Sequence, residues 1–235
     1  NETARTAAAS NSIAARILLA AILLLAAAVR AVSFSGYAGS DDACYAAIAA
    51  HVARGEFPPE SHGALPQYPQ RLGLILPTAL AFALFGVREW AMLLYPGAIS
   101  LASVLLAYAA AKRFYGIRAG LIAAALYALM PLDARFATWL LTDAPGAFWA
   151  WVGVLLCHGG YRRAGARGRF LMGALAGLCF GFSWLTRISV AYLVPFVAGF
   201  LIYAVLRDRG CVWLLAGVAL ATAAVFVAEG TLYAV

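Results

Sequence analysis

Apolar residues run in long blocks along this chain, and polar residues gather in the short stretches between them. Blocks at 17–29, 93–111, 119–130, 144–157, 170–185, 190–206 and 212–228 each continue with almost no charge. A helix needs about 20 residues to cross the hydrocarbon core of a bilayer, and several blocks reach that length once their flanks are added. Lipid offers backbone groups no partner, so unbroken apolar runs must be helical. They also lack the strict alternation of a barrel strand. The pattern predicts an all-α fold, a polytopic transmembrane helix bundle forming a single domain over 1–235.

Composition agrees with the pattern. The chain is 65% hydrophobic and 11% charged, where a soluble domain carries about 25% charged residues. Arg5 and Arg16 precede the first block and no small-residue cleavage site closes it, so it reads as a retained first span. The chain begins at Asn1 and stops inside an apolar run at Val235, the expected look of the N-terminal portion of a longer protein. Cys44, Cys157, Cys179 and Cys211 are scattered without ligand spacing and read as small packing residues.

Charge distribution predicts the topology. Loops 112–118, 161–169 and 207–209, with Arg5 and Arg16, hold eleven of the 17 basic residues, accompanied only by Glu2 and Asp208. Cytoplasmic loops are enriched in Lys and Arg, which accounts for the net charge of +7 without nucleic acid. The acids Asp41, Asp42, Glu56, Glu60, Glu89, Asp133, Asp143 and Glu229 fall in the remaining segments. This sorting requires that the segment 72–86, bounded by breakers and charges, does not cross. About seven spans result, near 14–34, 90–111, 118–132, 143–160, 169–186, 189–206 and 211–229. The N-terminus is then cytoplasmic, with a long outer loop at 35–89 and a shorter outer segment at 133–143. Within the long loop, Ser40 is the expected N-cap of an interfacial helix over 41–54 that ends at Gly55. Asp41, Tyr45, Ile48 and Val52 share one face of it. The Pro-rich stretch after it is irregular.

Candidate chemistry lies on that outer side. Asp41 and Asp143 sit at the mouths of two different helices. One can act as base on an acceptor hydroxyl while the other orients it or holds a divalent ion such as Mg or Mn. Either acid, and Asp42 beside the first, also fits a helix N-terminus for purely electrostatic reasons. Arg71, Arg135 and Arg187 are the outer arginines nearest apolar segments. Arg187, between two spans, is either a snorkelling residue or a ligand for a lipid phosphate. His62 and Tyr68 lie in the irregular loop and could line a site, whereas His51 reads as a solvated helix residue. Glu229 is either a site residue or an interfacial acid. Trp90, Trp139 and Trp184 fit an aromatic belt.

The motifs S-D-D-A-C-Y-A-A-I-A, Y-P-Q-R-L-G-L-I-L-P leading to L-F-G, L-L-T-D-A-P-G-A-F-W and G-L-C-F-G-F-S-W-L-T-R-I-S occur in this order. Together they resemble the GT-C superfamily of membrane glycosyltransferases, in its protein mannosyltransferase and aminoarabinose transferase branch. Asp41, Asp143 and Arg187 fall at the matching positions. Asp42 stands where that family usually has Glu, and Gln70 where it has a second Pro. The resemblance implies many transmembrane helices with interfacial helices in the first external loop. It further implies sugar transfer from a polyprenyl-phosphate donor, with inversion, to a glycan, lipid or protein acceptor at the outer face of the cell (inner) membrane. Asp41 would be the base or acceptor-orienting carboxylate, and Asp143 its support, directly or through a divalent ion. Arg187 and Arg71 would bind the donor phosphate, with Asp42, Tyr45, His62, Tyr68 and Arg135 around the substrates.

Two other functions fit an apolar bundle. A small transporter would place charges in the middle of broken helices, ideally in two related halves. Here the charges gather at one surface and no internal repeat is evident. A non-catalytic accessory subunit would keep the fold and the motifs alike.

Overall fold

The computed structural model describes residues 2–34, 36, 39–57, 59–60 and 68–233, with side chains from residue 13 onward. These residues form helices and connecting turns, with no strand among them. Helix α1 spans Glu2–Val32, α2 Asp41–Ala53, α3 Leu72–Phe85, α4 Glu89–Met92, α5 Leu94–Tyr115 and α6 Ile117–Ala128. They are followed by α7 Pro131–Phe136, α8 Asp143–Tyr161, α9 Ala166–Thr186, α10 Val194–Arg207 and α11 Val212–Tyr233. A short 3-10 helix, Ile188–Leu193, leads into α10.

Five stretches are long and apolar enough to cross a membrane: Ile13–Val32, Glu89–Tyr115, Ala166–Thr186, Ile188–Arg207 and Arg209–Tyr233. α8 has 19 residues, about 28 Å at the α-helical rise. The expected span 118–132 is shorter than its apolar run. The helix stops at Ala128, Met130 is extended (φ −65°, ψ 113°) and Pro131 begins α7. Proline steers the residue before it out of the α region, so the break is written in the Met130–Pro131 step.

Helices in lipid gain nothing from hydrophobic burial against each other, so they hold together by close approach and by polar contacts. α9 supplies the first. Gly173, Gly177 and Gly181 form one stripe against α11, where a Cβ on Gly173 would lie 2.2 Å from the Leu214 carbonyl oxygen. Gly217 of α11 answers it, with its own Cβ position 2.4 Å from the Phe170 carbonyl oxygen. On another side of α9, Gly153 of α8 receives the Phe180 ring. α2 and α3 form a separate cluster in which Tyr45, Ile48, Ala49, Leu74, Ile75 and Phe82 meet Met92 and Leu140.

The polar contacts centre on Arg30, near the end of α1. Arg30 and Asp133 are each 6% exposed. Arg30 Nη2 donates to Asp133 Oδ2 at 2.5 Å, Nε to Ser100 Oγ at 2.7 Å, and Nη1 to the carbonyls of Ala26 at 3.1 Å and Ala128 at 2.7 Å. Ser100 Oγ and Tyr127 OH also donate to Asp133. The carbonyl of Ala128 is one of those that the end of α6 leaves without a helical partner. One guanidinium thus ties α1 to α5 and holds the corner between α6 and α7.

Removing one member of a buried ion pair strands the other charge, at a cost of about 3–5 kcal/mol, whereas replacing both is far milder. Arg30→Ala and Asp133→Ala should each lose that much, and the double change Arg30→Met with Asp133→Leu should lose less than either. Thermal unfolding of the purified protein in detergent reads this directly. An Asp133→Ala protein as heat-stable as wild type would sink the account.

Candidate active site

Four helix ends meet around two carboxylates and two arginines. The first carboxylate is set by the start of α2. Ser40 is the residue before this helix, but its side chain makes no capping bond. Instead Asp42, 1% exposed, turns back, and its Oδ1 accepts from the backbone N–H of Ser40 and Ala43, both at 2.9 Å. A carboxylate is the stronger acceptor and its charge suits a helix N-terminus, so it takes the role expected of the serine.

With Asp42 held against the backbone, Asp41 shares a face with Tyr45 one turn on. Tyr68 OH donates to Asp41 Oδ1 at 2.7 Å. The Tyr68 ring packs on Tyr45 with centroids 4.9 Å apart. The bond to Asp41, more than burial, pushes the Tyr68 hydroxyl up to about 12. Tyr45 is raised as well, chiefly by burial, against the pull of the nearby Arg71. Arg71 stands at the N-cap of α3. Its Nε is sealed from solvent and has no hydrogen-bond partner.

The second pair comes from α8 and α9. Arg187 ends α9 in extended conformation (φ −154°, ψ 119°). It ion-pairs with Asp143 in the first turn of α8, and donates to Ser189 Oγ at 2.8 Å and Thr142 Oγ1 at 3.4 Å. Gly146 permits this approach, because a Cβ there would lie 3.2 Å from the Arg187 Cβ. Both side chains remain open, Arg187 at 39% and Asp143 at 44% exposure. They border a recess of about 360 Å³ shared with Trp151, Ser189, Val190 and Leu193.

Two contacts make the halves one site. Gly73 at the start of α3 rests on the end of α9, where its Cβ would meet Thr186 Oγ1 at 2.2 Å. Tyr45 lies within electrostatic reach of Asp41, Arg71 and Arg187 together. From α11, Tyr233 OH donates to the Pro69 carbonyl at 2.7 Å, fixing the loop between Tyr68 and Arg71.

The structure therefore brings together Asp41, Tyr45, Tyr68, Arg71, Asp143 and Arg187. Asp42 serves the backbone beside them. Arg135 lies apart, over the Trp139 ring at 4.6 Å, in a different recess of about 550 Å³ with Val29 and Ser33. His62 lies outside the described residues. His51 pairs with Glu56. Glu229 lies near Trp184, away from these residues. Ser189 and Tyr233 were not among the residues singled out by sequence, and neither sits in a distinctive pattern.

Among the described residues no group of three or more His, Cys, Asp or Glu side chains is placed to hold a metal ion. Asp41 is engaged by Tyr68 and Asp143 by Arg187.

Residues 75–228 match the family model described as dolichyl-phosphate-mannose-protein mannosyltransferase. This covers more than half of the chain, from α3 to α11, including Asp143 and Arg187; Asp41, Tyr68 and Arg71 precede it. No curated protein and no solved structure matches the chain.

Two expectations follow from the geometry. Gly73→Ala should push α3 off α9, because the new methyl meets backbone as well as Thr186, and should lower the unfolding temperature well beyond the effect of Gly97→Ala, which meets open space. Tyr68 should ionise near pH 12 rather than 10, visible at 295 nm as the difference between wild type and Tyr68→Phe. Because folding raises this pKa, the associated stability is fully present below pH 10 and is lost as pH rises through about 12. Ionisation of Tyr68 near pH 10 would show that it does not hold Asp41.

Proposed function

The chain belongs to the dolichyl-phosphate-mannose-protein mannosyltransferase family, and from that premise we propose that it transfers a sugar from a polyprenyl-phosphate donor to an acceptor hydroxyl. It is a multi-pass membrane glycosyltransferase of the GT-C type. The observation that carries the finer reading is the convergence of Asp41, Arg71 and Arg187 around Tyr45 at one end of the bundle. Arg71 offers a buried guanidinium nitrogen without a partner. Arg187 opens onto a recess.

A donor of this class has its tail in lipid and a single phosphate at the interface. Arg71 and Arg187 take that phosphate, since a guanidinium matches phosphate oxygens with paired donors. Asp143 and Ser189 aim Arg187. Tyr68 holds Asp41, which removes the proton from the acceptor hydroxyl as its oxygen attacks the anomeric carbon. The new bond forms as the bond from that carbon to the phosphate oxygen breaks, in one displacement that inverts the centre. The leaving polyprenyl phosphate gains a negative charge beside the two arginines, where it is most needed. No step is routed through a metal ion.

The basic loops after α5, α8 and α10 lie at the opposite end of their helices from Asp143 and Arg187. By the excess of Lys and Arg on cytoplasmic loops, we place the site on the outer face of the cell (inner) membrane, with the N-terminus inside. The acceptor is a glycan, lipid or protein hydroxyl.

Asparagine at position 41 still accepts from Tyr68 but is no base. Asp41→Asn should leave folding intact and reduce release of free polyprenyl phosphate about 10²–10⁴-fold, the usual worth of a general base. The assay supplies membranes holding the chain with a panel of polyprenyl-phosphate sugars and an acceptor. Undiminished release from Asp41→Asn would remove Asp41 from the mechanism, and no release from wild type with any donor would remove the reaction.

A further inference from the structure

At the other end of the bundle, α5, α8 and α10 leave a groove of about 380 Å³ between them. Its walls include Phe114, Trp151, Leu155, Phe196 and Phe200, and one imidazole, His158. His158 Nε2 is sealed from solvent without a hydrogen-bond partner, an arrangement that native proteins avoid. Its ring packs against Phe114 at 5.1 Å. Arg113, in the last turn of α5, and Arg162, just past α8, are exposed and lie within electrostatic reach of that ring. Neither is in an ion pair among the described residues.

We propose that this groove holds an anionic phospholipid from the leaflet on the side of the basic loops. One acyl chain lies along Phe196, Phe200 and Trp151, and the phosphate sits between Arg113 and Arg162. The glycerol esters lie at the level of the His158 ring. Three features select this occupant. The walls match a hydrocarbon chain. The two cations, unmatched by nearby acids, match a headgroup with net negative charge, as basic pockets between membrane helices do. His158 lies four residues before Arg162, about 6 Å along the helix axis, so that its nitrogen falls below the phosphate at the level of the esters. The role is structural: the lipid fills the gap between α10 and the α5–α8 pair. It does not depend on the sugar-transfer reading.

The same groove shares Trp151 and Leu193 with the recess at Asp143 and Arg187, so the rival occupant is the tail of a lipid bound from that end. Native mass spectrometry of the full chain in detergent separates them. Phosphatidylglycerol, phosphatidylethanolamine of the same acyl chains and polyprenyl phosphate are added in turn. The variants are Arg113→Gln/Arg162→Gln and, as a control of equal charge, Arg163→Gln/Arg167→Gln. Wild type should retain phosphatidylglycerol over phosphatidylethanolamine. That adduct should fall at least about fivefold in the first variant, the loss expected of one arginine near an anionic surface, and hold in the control. Equal retention of both phospholipids, equal loss in the two variants, or displacement of phosphatidylglycerol by polyprenyl phosphate would each overturn the proposal.

Discussion

A charged side chain inside a bilayer has no water to turn to, and it must find its counter-charge within the protein or be carried to the surface. Arg30 lies at the end of a helix that is otherwise apolar through the membrane, so its search for a partner governs much else. It finds Asp133 and the open carbonyl of Ala128, and by doing so braces the corner that the Met130–Pro131 step makes between α6 and α7. From that corner the chain runs through Leu140, fully buried against the α2–α3 cluster, to Asp143. The position of one site carboxylate therefore depends on an ion pair that touches no substrate.

Three of the arginine–carboxylate pairs among the described residues show how exposure changes what the same chemistry does. Arg30–Asp133 is closed to solvent, and its worth lies in the penalty for breaking it. Arg169–Asp208, at the basic end, leaves Asp208 46% exposed. The arginine holds the carboxyl below its usual range, helped by the Gly210 N–H, yet an exposed pair adds little to stability. Arg187–Asp143 is the most open of the three, at 39% and 44% exposure. It is open enough to exchange partners with an incoming anion and fixed enough, by Ser189 and Thr142, to keep its direction. Openness on both sides combined with a fixed direction is what suits a binding site.

Much of this was legible in the sequence because bilayer thickness and charge sorting act on whole segments. The helices over 41–53 and 72–85 and most of the longer ones lie where the apolar blocks and breakers put them. The acids at helix mouths and the arginine at the end of α9 were legible for the same reason, since polar groups survive near lipid only at such places. What could not be read was pairing across the chain. Asp133 looked like one outer acid among several, because nothing in a linear pattern says that it meets Arg30, 103 positions away. That Asp42 suits the start of α2 was legible from its charge, but not that it would take over the capping bonds expected of Ser40. The Met130–Pro131 break was visible, but the apolar residues around it argued for continuity.

On the proposed reading, the charges of the site explain why it needs two arginines. Asp41 and Asp143 against Arg71 and Arg187 make it neutral before substrates arrive. A donor phosphodiester adds one negative charge, and the reaction then moves a second onto the phosphate while Asp41 loses its own to the acceptor proton. The total does not change; its location does. Negative charge migrates from a carboxylate hydrogen-bonded by a neutral phenol to an oxygen facing two guanidinium groups. Both arginines are in place before the reaction, one at a helix start and one at a helix end, so little has to reorganise as that charge moves. Interactions that strengthen only as charge shifts are the ones that speed a reaction rather than merely tighten binding. Asp143 keeps Arg187 from collapsing onto Asp41, which would neutralise the base before it could act.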